Sequence, residues 1–158
     1  MKIQIATRAL VVGALAVVST ISVPALGLRP AMAHSAPCPY CSMTLSDDTA
    51  SVLKIGRKRI EYKCAYCALA EAKTEYPSGD LSVTSPSEKK GQPVVAKRIG
   101  GKWSVLPATA FYVSPAKLKH KTCQAQSRAF TTKAAATAFA KDNGGMVMTL
   151  AQMNAMAK

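Results

Sequence analysis

A chain of 158 residues with a formal charge of +13 has room for one modest domain or two very small ones. Its cations are scattered (Arg57 to Arg59, Lys97-Arg98, Lys117 to Lys121) and lack interleaved aromatic residues, which argues against nucleic acid. Simple solubility, an acidic partner or weak contact with an anionic membrane surface are the readings that remain.

Lys2 and Arg8 open the chain, an apolar run follows from Ala9 to Val18, and Ala31-Met32-Ala33 fits the small-x-small cleavage rule. Residues 1–33 therefore read as a secretory signal, with a mature chain starting at His34 in the periplasm or outside the cell. Ser19, Thr20, Ser22 and Pro24 interrupt the apolar run, so a permanent spanning helix is the weaker reading. The segment holds three of the 21 cations (Lys2, Arg8, Arg29) and none of the 8 acids, which leaves the mature chain near +10.

From His34 to Asp48 there is no helical or strand period, and Pro37 and Pro39 keep the segment extended or turned. Thr49 to Ile55 and Lys58 to Lys63 read as a strand pair broken at Gly56. Cys64 to Tyr76 has helical spacing at Ala65, Leu69 and Ala72 and is stopped by Pro77-Ser78-Gly79. Leu81 to Ser85 is a short strand, and Ser85 to Gly91 a polar loop. Val94 to Ile99 and Lys102 to Leu106 flank Gly100-Gly101, a two-residue hairpin signal. Phe111 to Val113 and Ser127 to Phe130 are short strands. Thr131 and Thr132 are placed to cap a helix from Lys133 to Asp142, stopped by Asn143-Gly144-Gly145. Met146 to Leu150 reads as a strand and Gln152 to Lys158 as a frayed helical tail.

The order strand, helix, glycine, strand occurs twice, once around Tyr62 to Leu81 and once around Phe130 to Met146. The expected fold is α+β: two small duplicated strand-strand-helix-strand units, spanning 34–88 and 89–158, after the signal segment.

The chemistry lies in the sulfur. Cys38-Pro39-Tyr40-Cys41-Ser42-Met43 puts two thiols and a thioether within six residues, and Cys64-Ala65-Tyr66-Cys67 adds a second thiol pair where a helix begins. With Cys123 there are five cysteines, an odd number that cannot all pair within a monomer. Four readings stand side by side. Cys38 and Cys41 form a Cys-Pro-Tyr-Cys string suited to thiol–disulfide exchange, although no strand precedes it and no helix follows. The two Cys-x-x-Cys pairs, with twenty-two residues between Cys41 and Cys64, are near zinc-ribbon spacing, though without glycine in the knuckles. Disulfides between the two pairs would staple the fold. In the fourth reading Cys41 and Met43, two apart in an extended segment, aim both sulfurs to one side, and thiolate with thioether selects Cu(I) over zinc. A third ligand then comes from Cys38, Cys67, Cys123 or His120, which lies among Lys117, Lys119 and Lys121; His34 at a new terminus offers a Cu(II) chelate. Met146, Met148, Met153 and Met156 read as core and helix-face residues.

The chain resembles the NosL family of exported copper chaperones associated with nitrous oxide reductase assembly. The likeness is carried by Cys41-Ser42-Met43, by Tyr62 with Cys67, by Trp103 to Val113, and by Ala129-Phe130 followed by a helix and Gly144-Gly145. It implies two duplicated α+β units related in shape to a domain of organomercurial lyase, with Cu(I) held by Cys41 and Met43. Ser42 stands where members usually have Gly, Cys123 where many have Met, and no lipid-acceptor cysteine is present. The reading is thus a monomeric, non-enzymatic metallochaperone, carrying Cu(I) (or, in the alternative, Zn) to a client with an acidic surface.

Overall fold

A computed structural model describes residues 36–114 and 126–157. The signal segment, His34, His120 and Cys123 lie outside these residues. No helix among the described residues is long and apolar enough to cross a membrane.

The fold is α+β, with three helices and two antiparallel sheets. The hairpin of β1 (Ser51–Ile55) and β2 (Lys58–Tyr62) turns at Gly56, whose φ of 54° favours glycine. After α1 (Ala65–Thr74) the chain returns as β3 (Leu81–Ser85), which pairs with β1. The alternation is strict along this surface: Leu53, Leu81, Val83, Val94 and Ala96 point into the core. α1 packs on that face and is buried on nearly every side, which its short alanine side chains permit.

β4 (Val94–Ile99) and β5 (Lys102–Leu106) form the Gly100-Gly101 hairpin expected from the sequence. That hairpin extends the first sheet, whose strand order is β2-β1-β3-β4-β5. The division expected at 88/89 therefore falls between two hydrogen-bonded strands of one sheet. The strands themselves were readable, but which sheet they join is decided by the β3–β4 register.

The second sheet holds β6 (Phe111–Ser114), β7 (Arg128–Phe130) and β8 (Met146–Met148) in the order β7-β6-β8, with α2 (Lys133–Asn143) between β7 and β8. This repeats the order β2-β1-β3 with α1 inserted before the third strand, so the two strand-strand-helix-strand units share one topology. The final helix, α3 (Leu150–Met156), is not a frayed tail. Thr149 and Gln152 cap it reciprocally, which ends β8 at Met148, and Leu150 and Met153 are buried. Lys73 of α1 donates to the Ala157 carbonyl at 2.9 Å, joining the two helices.

One core cluster runs through both sheets, from Leu53, Tyr62 and Leu69 to Tyr112, Met148 and Met153. Met148 and Met153 are thus core residues, as expected, while Met146 is exposed. Polar links join the units as well: Tyr66 N–H donates to Ser127 Oγ at 2.8 Å, and Glu88 accepts from both Thr131 N–H and Thr131 Oγ.

Candidate metal centre

The sulfur site is assembled from a loop before β1 and from the start of α1. In the loop, Pro39 lacks an N–H and favours a turn. Cys38 N–H donates to the Met43 carbonyl at 2.9 Å and Ser42 N–H to the Cys38 carbonyl at 2.8 Å, closing a loop from Cys38 to Met43. Ser42 has a φ of 60°. The expectation of an extended Cys-x-Met segment is corrected: a left-handed residue lies between Cys41 and Met43, so the alternation argument for their sulfurs does not hold. That conformation is the one glycine adopts without penalty and a side chain adopts at some cost. Met43 is half-buried against the core, and its N–H donates to the Cys41 sulfur.

At the other side of the site, β2 ends at Tyr62 and Cys64 is extended at the N-cap of α1, where its side chain makes no capping bond. Cys67 stands three residues on, in the first turn, where the exposed end of the backbone dipole favours negative charge. No acidic residue occupies that turn. The Tyr40 ring meets the Tyr66 ring edge-on at 6.1 Å, fastening the loop to the helix start beside Cys67.

These elements bring the sulfurs of Cys38, Cys41 and Cys67 within 4.8 Å of one another, all three buried. Cys67 Sγ lies 3.8 Å from Cys41 Sγ. Three ligands about 2.3 Å from one metal ion would stand roughly 4 Å apart in a trigonal plane, so the trio is near the size a thiolate-bound ion needs. Cys64 Sγ lies 3.7 Å from Cys67 Sγ but outside the three-way group. The four cysteines among the described residues are all thiols, none in a disulfide. The structure therefore joins Cys67 to Cys38 and Cys41, sets Cys64 beside Cys67, and gives neither the two stapling disulfides nor a four-sulfur cage among the described cysteines.

The thiols differ in readiness to ionise. The hydrogen bond from the Cys67 thiol, with backbone N–H groups of Lys63 and Cys41, lowers the Cys38 pKa to about 5 against the opposing effect of burial. Burial pushes the Cys41 thiol up, and the neighbouring Cys38 charge adds to that rise. One anion thus stands ready at Cys38, while a bound cation would displace the proton from Cys41. Lys63, itself buried, supports the site through its backbone. Neither Lys63 nor Tyr40 was singled out in the sequence reading; the aromatic between Pro39 and Cys41, matched by Tyr66 between Cys64 and Cys67, was the available signal for Tyr40.

The Cys38-Pro39-Tyr40-Cys41 string sits in a turn rather than at a helix start, and the sheets are antiparallel, unlike the setting that thiol–disulfide exchange at that string requires.

No protein-family model and no curated protein matches the chain. Among solved structures it is similar to the mercury-bound form of MerB2, with a TM-score of 0.56 and 18% sequence identity over 69% of this chain. The chain spans 56% of the length of MerB2. At that identity the likeness concerns the fold. It corrects one expectation: MerB2 is an enzyme, so the shared fold removes the basis for reading this chain as non-enzymatic.

Proposed function

We propose that the chain is an exported metal-binding protein that accepts Cu(I) at Cys38, Cys41 and Cys67 and passes it to a client. The observation that carries this reading is the buried three-thiol group. Soft thiolates in threefold array suit Cu(I), whereas structural zinc calls for four ligands in a tetrahedron, and Cys64 stands outside the group. A low-coordinate thiolate site is open to attack by an incoming thiolate, which is how an ion moves between proteins without entering water. The NosL resemblance supports Cu(I) as the ion and Cys41 as a ligand, but it implies Met43 beside Cys41 in place of Cys38 and Cys67.

In this reading Cys38 is the first ligand, since it is already ionised near neutral pH. Cys41 and Cys67 close around the ion and release protons. Met43 acts through its N–H and carbonyl in shaping the loop rather than as a central ligand. A groove of about 320 Å³ lined by Pro37, Pro39, Arg59 and Glu61 flanks the loop, with one cation and one anion on its wall.

The test is competition for Cu(I) between the reduced protein and a chromophoric chelator. One equivalent should be held, with loss on Cys38→Ser, Cys41→Ser or Cys67→Ser, and little change on Met43→Ala. Retention of Cu(I) by all three cysteine variants would reject the site.

A second reading rests on the MerB2 likeness: the same thiols take Hg(II) or an organomercurial. Turnover of phenylmercury to benzene by the reduced protein would favour it, and absence of turnover together with tight Cu(I) binding would favour the first.

A further inference from the structure

Cys64 is a fully buried thiol that joins neither the three-way sulfur group nor the cap of its own helix. Its sulfur is 3.7 Å from Cys67, and Cys67 is 3.8 Å from Cys41, so the three sulfurs form a chain. Its outer end, Cys41, retains 6% exposure, while Cys64 and Cys67 have none. An ordinary disulfide is about 2.05 Å long, so a closure of well under 2 Å at each link completes a bond. Cys64 and Cys67 stand at the N-cap and in the first turn of α1, two positions that a helix start holds close together.

We propose that Cys64 and Cys67 are a redox pair whose disulfide dismantles the metal centre, and that Cys41 is the entry point for the oxidant. The inference rests on the proposed function for its consequence, though not for its chemistry. The oxidant is a small disulfide, RSSR. Cys41, giving up its proton, attacks it, forming a mixed disulfide and releasing RS⁻. Cys67 sulfur then attacks the Cys41 sulfur, forming a Cys41–Cys67 bond and releasing the second RS⁻. Cys64 sulfur attacks the Cys67 sulfur, forming the Cys64–Cys67 bond and returning Cys41 as thiolate. In sum, two protein thiols lose two electrons and two protons, and RSSR becomes two RSH. Oxidation takes Cys67 from the three ligands and leaves Cys38 and Cys41. Conversely, an ion bound at Cys67 occupies the sulfur that the relay needs, so loading protects the pair.

The experiment treats the reduced, metal-free full chain with glutathione disulfide, traps remaining thiols with iodoacetamide, and maps disulfides by peptide mass spectrometry. The expected product is Cys64–Cys67, with Cu(I) affinity lowered by more than the roughly 10–100-fold that loss of a supporting group costs. Cys64→Ser and Cys64→Ala should keep full Cu(I) binding when reduced. Under the same oxidant neither variant should accumulate a disulfide within α1, while Cys41→Ser should slow formation of the pair in the otherwise intact chain. Prior loading with Cu(I) should slow it too. A final Cys41–Cys67 or Cys38–Cys41 product, or no intramolecular disulfide, overturns the proposal. So does loss of Cu(I) binding in both reduced Cys64 variants, which would make Cys64 a ligand. If the reduced wild-type chain fails to bind Cu(I), the proposed function falls while the disulfide map still decides whether the pair exists.

Discussion

The two strand-strand-helix-strand units share strand order and helix placement, yet their helices begin differently. In the second, Phe130 is followed by two residues and α2, and the N-cap Thr132 accepts a bond from Ala135 N–H at 3.2 Å. In the first, Tyr62 is followed by two residues and α1, and the same two positions hold Cys64 and Cys67. One helix start is closed by a hydroxyl for stability; the other has thiols and forms one wall of a sulfur site. A common topology supplies the helix end, and substitution at two equivalent positions supplies the chemistry.

The largest effect should come from removing that chemistry. Cys67→Ala gives the first unit the residue found at the equivalent position of the second, Ala135. Cu(I) retention should fall by more than about 100-fold in chelator competition, beyond the usual cost of a supporting group, with the fold preserved by circular dichroism. Titration offers a matching check on Cys38. Because its folded pKa lies below its ordinary value of 9, metal-free stability from this group is fully present above pH 9 and is lost as pH falls through about 5. Denaturant midpoints of the reduced protein should rise across that window, and less so in Cys38→Ser.

The helix ends also differ at their C-termini. α2 stops on Gly144, with φ of 73°. α1 stops on a buried guanidinium: Arg98 of β4 donates to the carbonyls of Ala72, Tyr76, Ser78 and Gly79 and lies against Trp103. Its charge faces the negative end of the helix. Arg98→Met keeps much of the stem but leaves those carbonyls without their donor, and should cost about 2–4 kcal/mol by urea unfolding, since bonds to a charged group contribute more than neutral ones. In the second unit the corresponding sensitive point is Gly145. A Cβ there would meet Val113 Cγ1 at 2.9 Å and the Ser114 carbonyl at 3.1 Å, at a φ of 109°. Gly145→Ala should cost about 1–3 kcal/mol, by overpacking and backbone strain together.

Much of this was legible from residues alone, for reasons that differ by element. Leu81–Ser85, Val94–Ile99 and Lys102–Leu106 alternate strictly or lie beside a Gly-Gly turn, and their observed limits match. The pairing of β4 with β3 is a non-local choice that no local pattern encodes. The α3 start was written in Thr149 and Gln152, a reciprocal capping pair passed over in favour of a longer strand. In the site, the sulfur density was plain, but an extended Cys-x-Met ignored the turn tendency of Pro39, and Ser42 reverses the chain there. That Cys67 rather than Cys64 joins Cys38 and Cys41 follows from helix geometry and the Tyr40–Tyr66 contact. Arg98 looked like one more surface cation in Lys97-Arg98; only the pleat of β4 turns it inward while Lys97 faces out.

The smallest effect sharpens the comparison of helix starts most directly. If Thr132 is a stabilising cap and Cys64 is not, the two positions should respond unequally to the same change. Thr132→Ala removes the acceptor for Ala135 N–H, and substitution at such caps costs about 1 kcal/mol. Cys64→Ala removes no capping bond, because the Cys64 side chain makes none; it loses the packing of one buried sulfur and its weak 3.7 Å bond to Cys67. Its cost should fall below that of Thr132→Ala, in reduced, metal-free protein, by urea denaturation. Glu88 provides an internal control on the second helix start, since it accepts from Thr131 N–H and Oγ one residue before the cap. Burial alone would raise its carboxyl, but the bonds from Thr131 outweigh that and hold it below the ordinary value. A depressed carboxylate contributes stability above its unfolded pKa and loses it as pH falls through the folded value. The Thr132→Ala cost should persist in a Glu88→Gln background, where this acid dependence is reduced. Were Cys64→Ala the costlier of the two substitutions, the first helix start would be a structural element like the second, and the contrast between a stabilising end and a chemical end would fail.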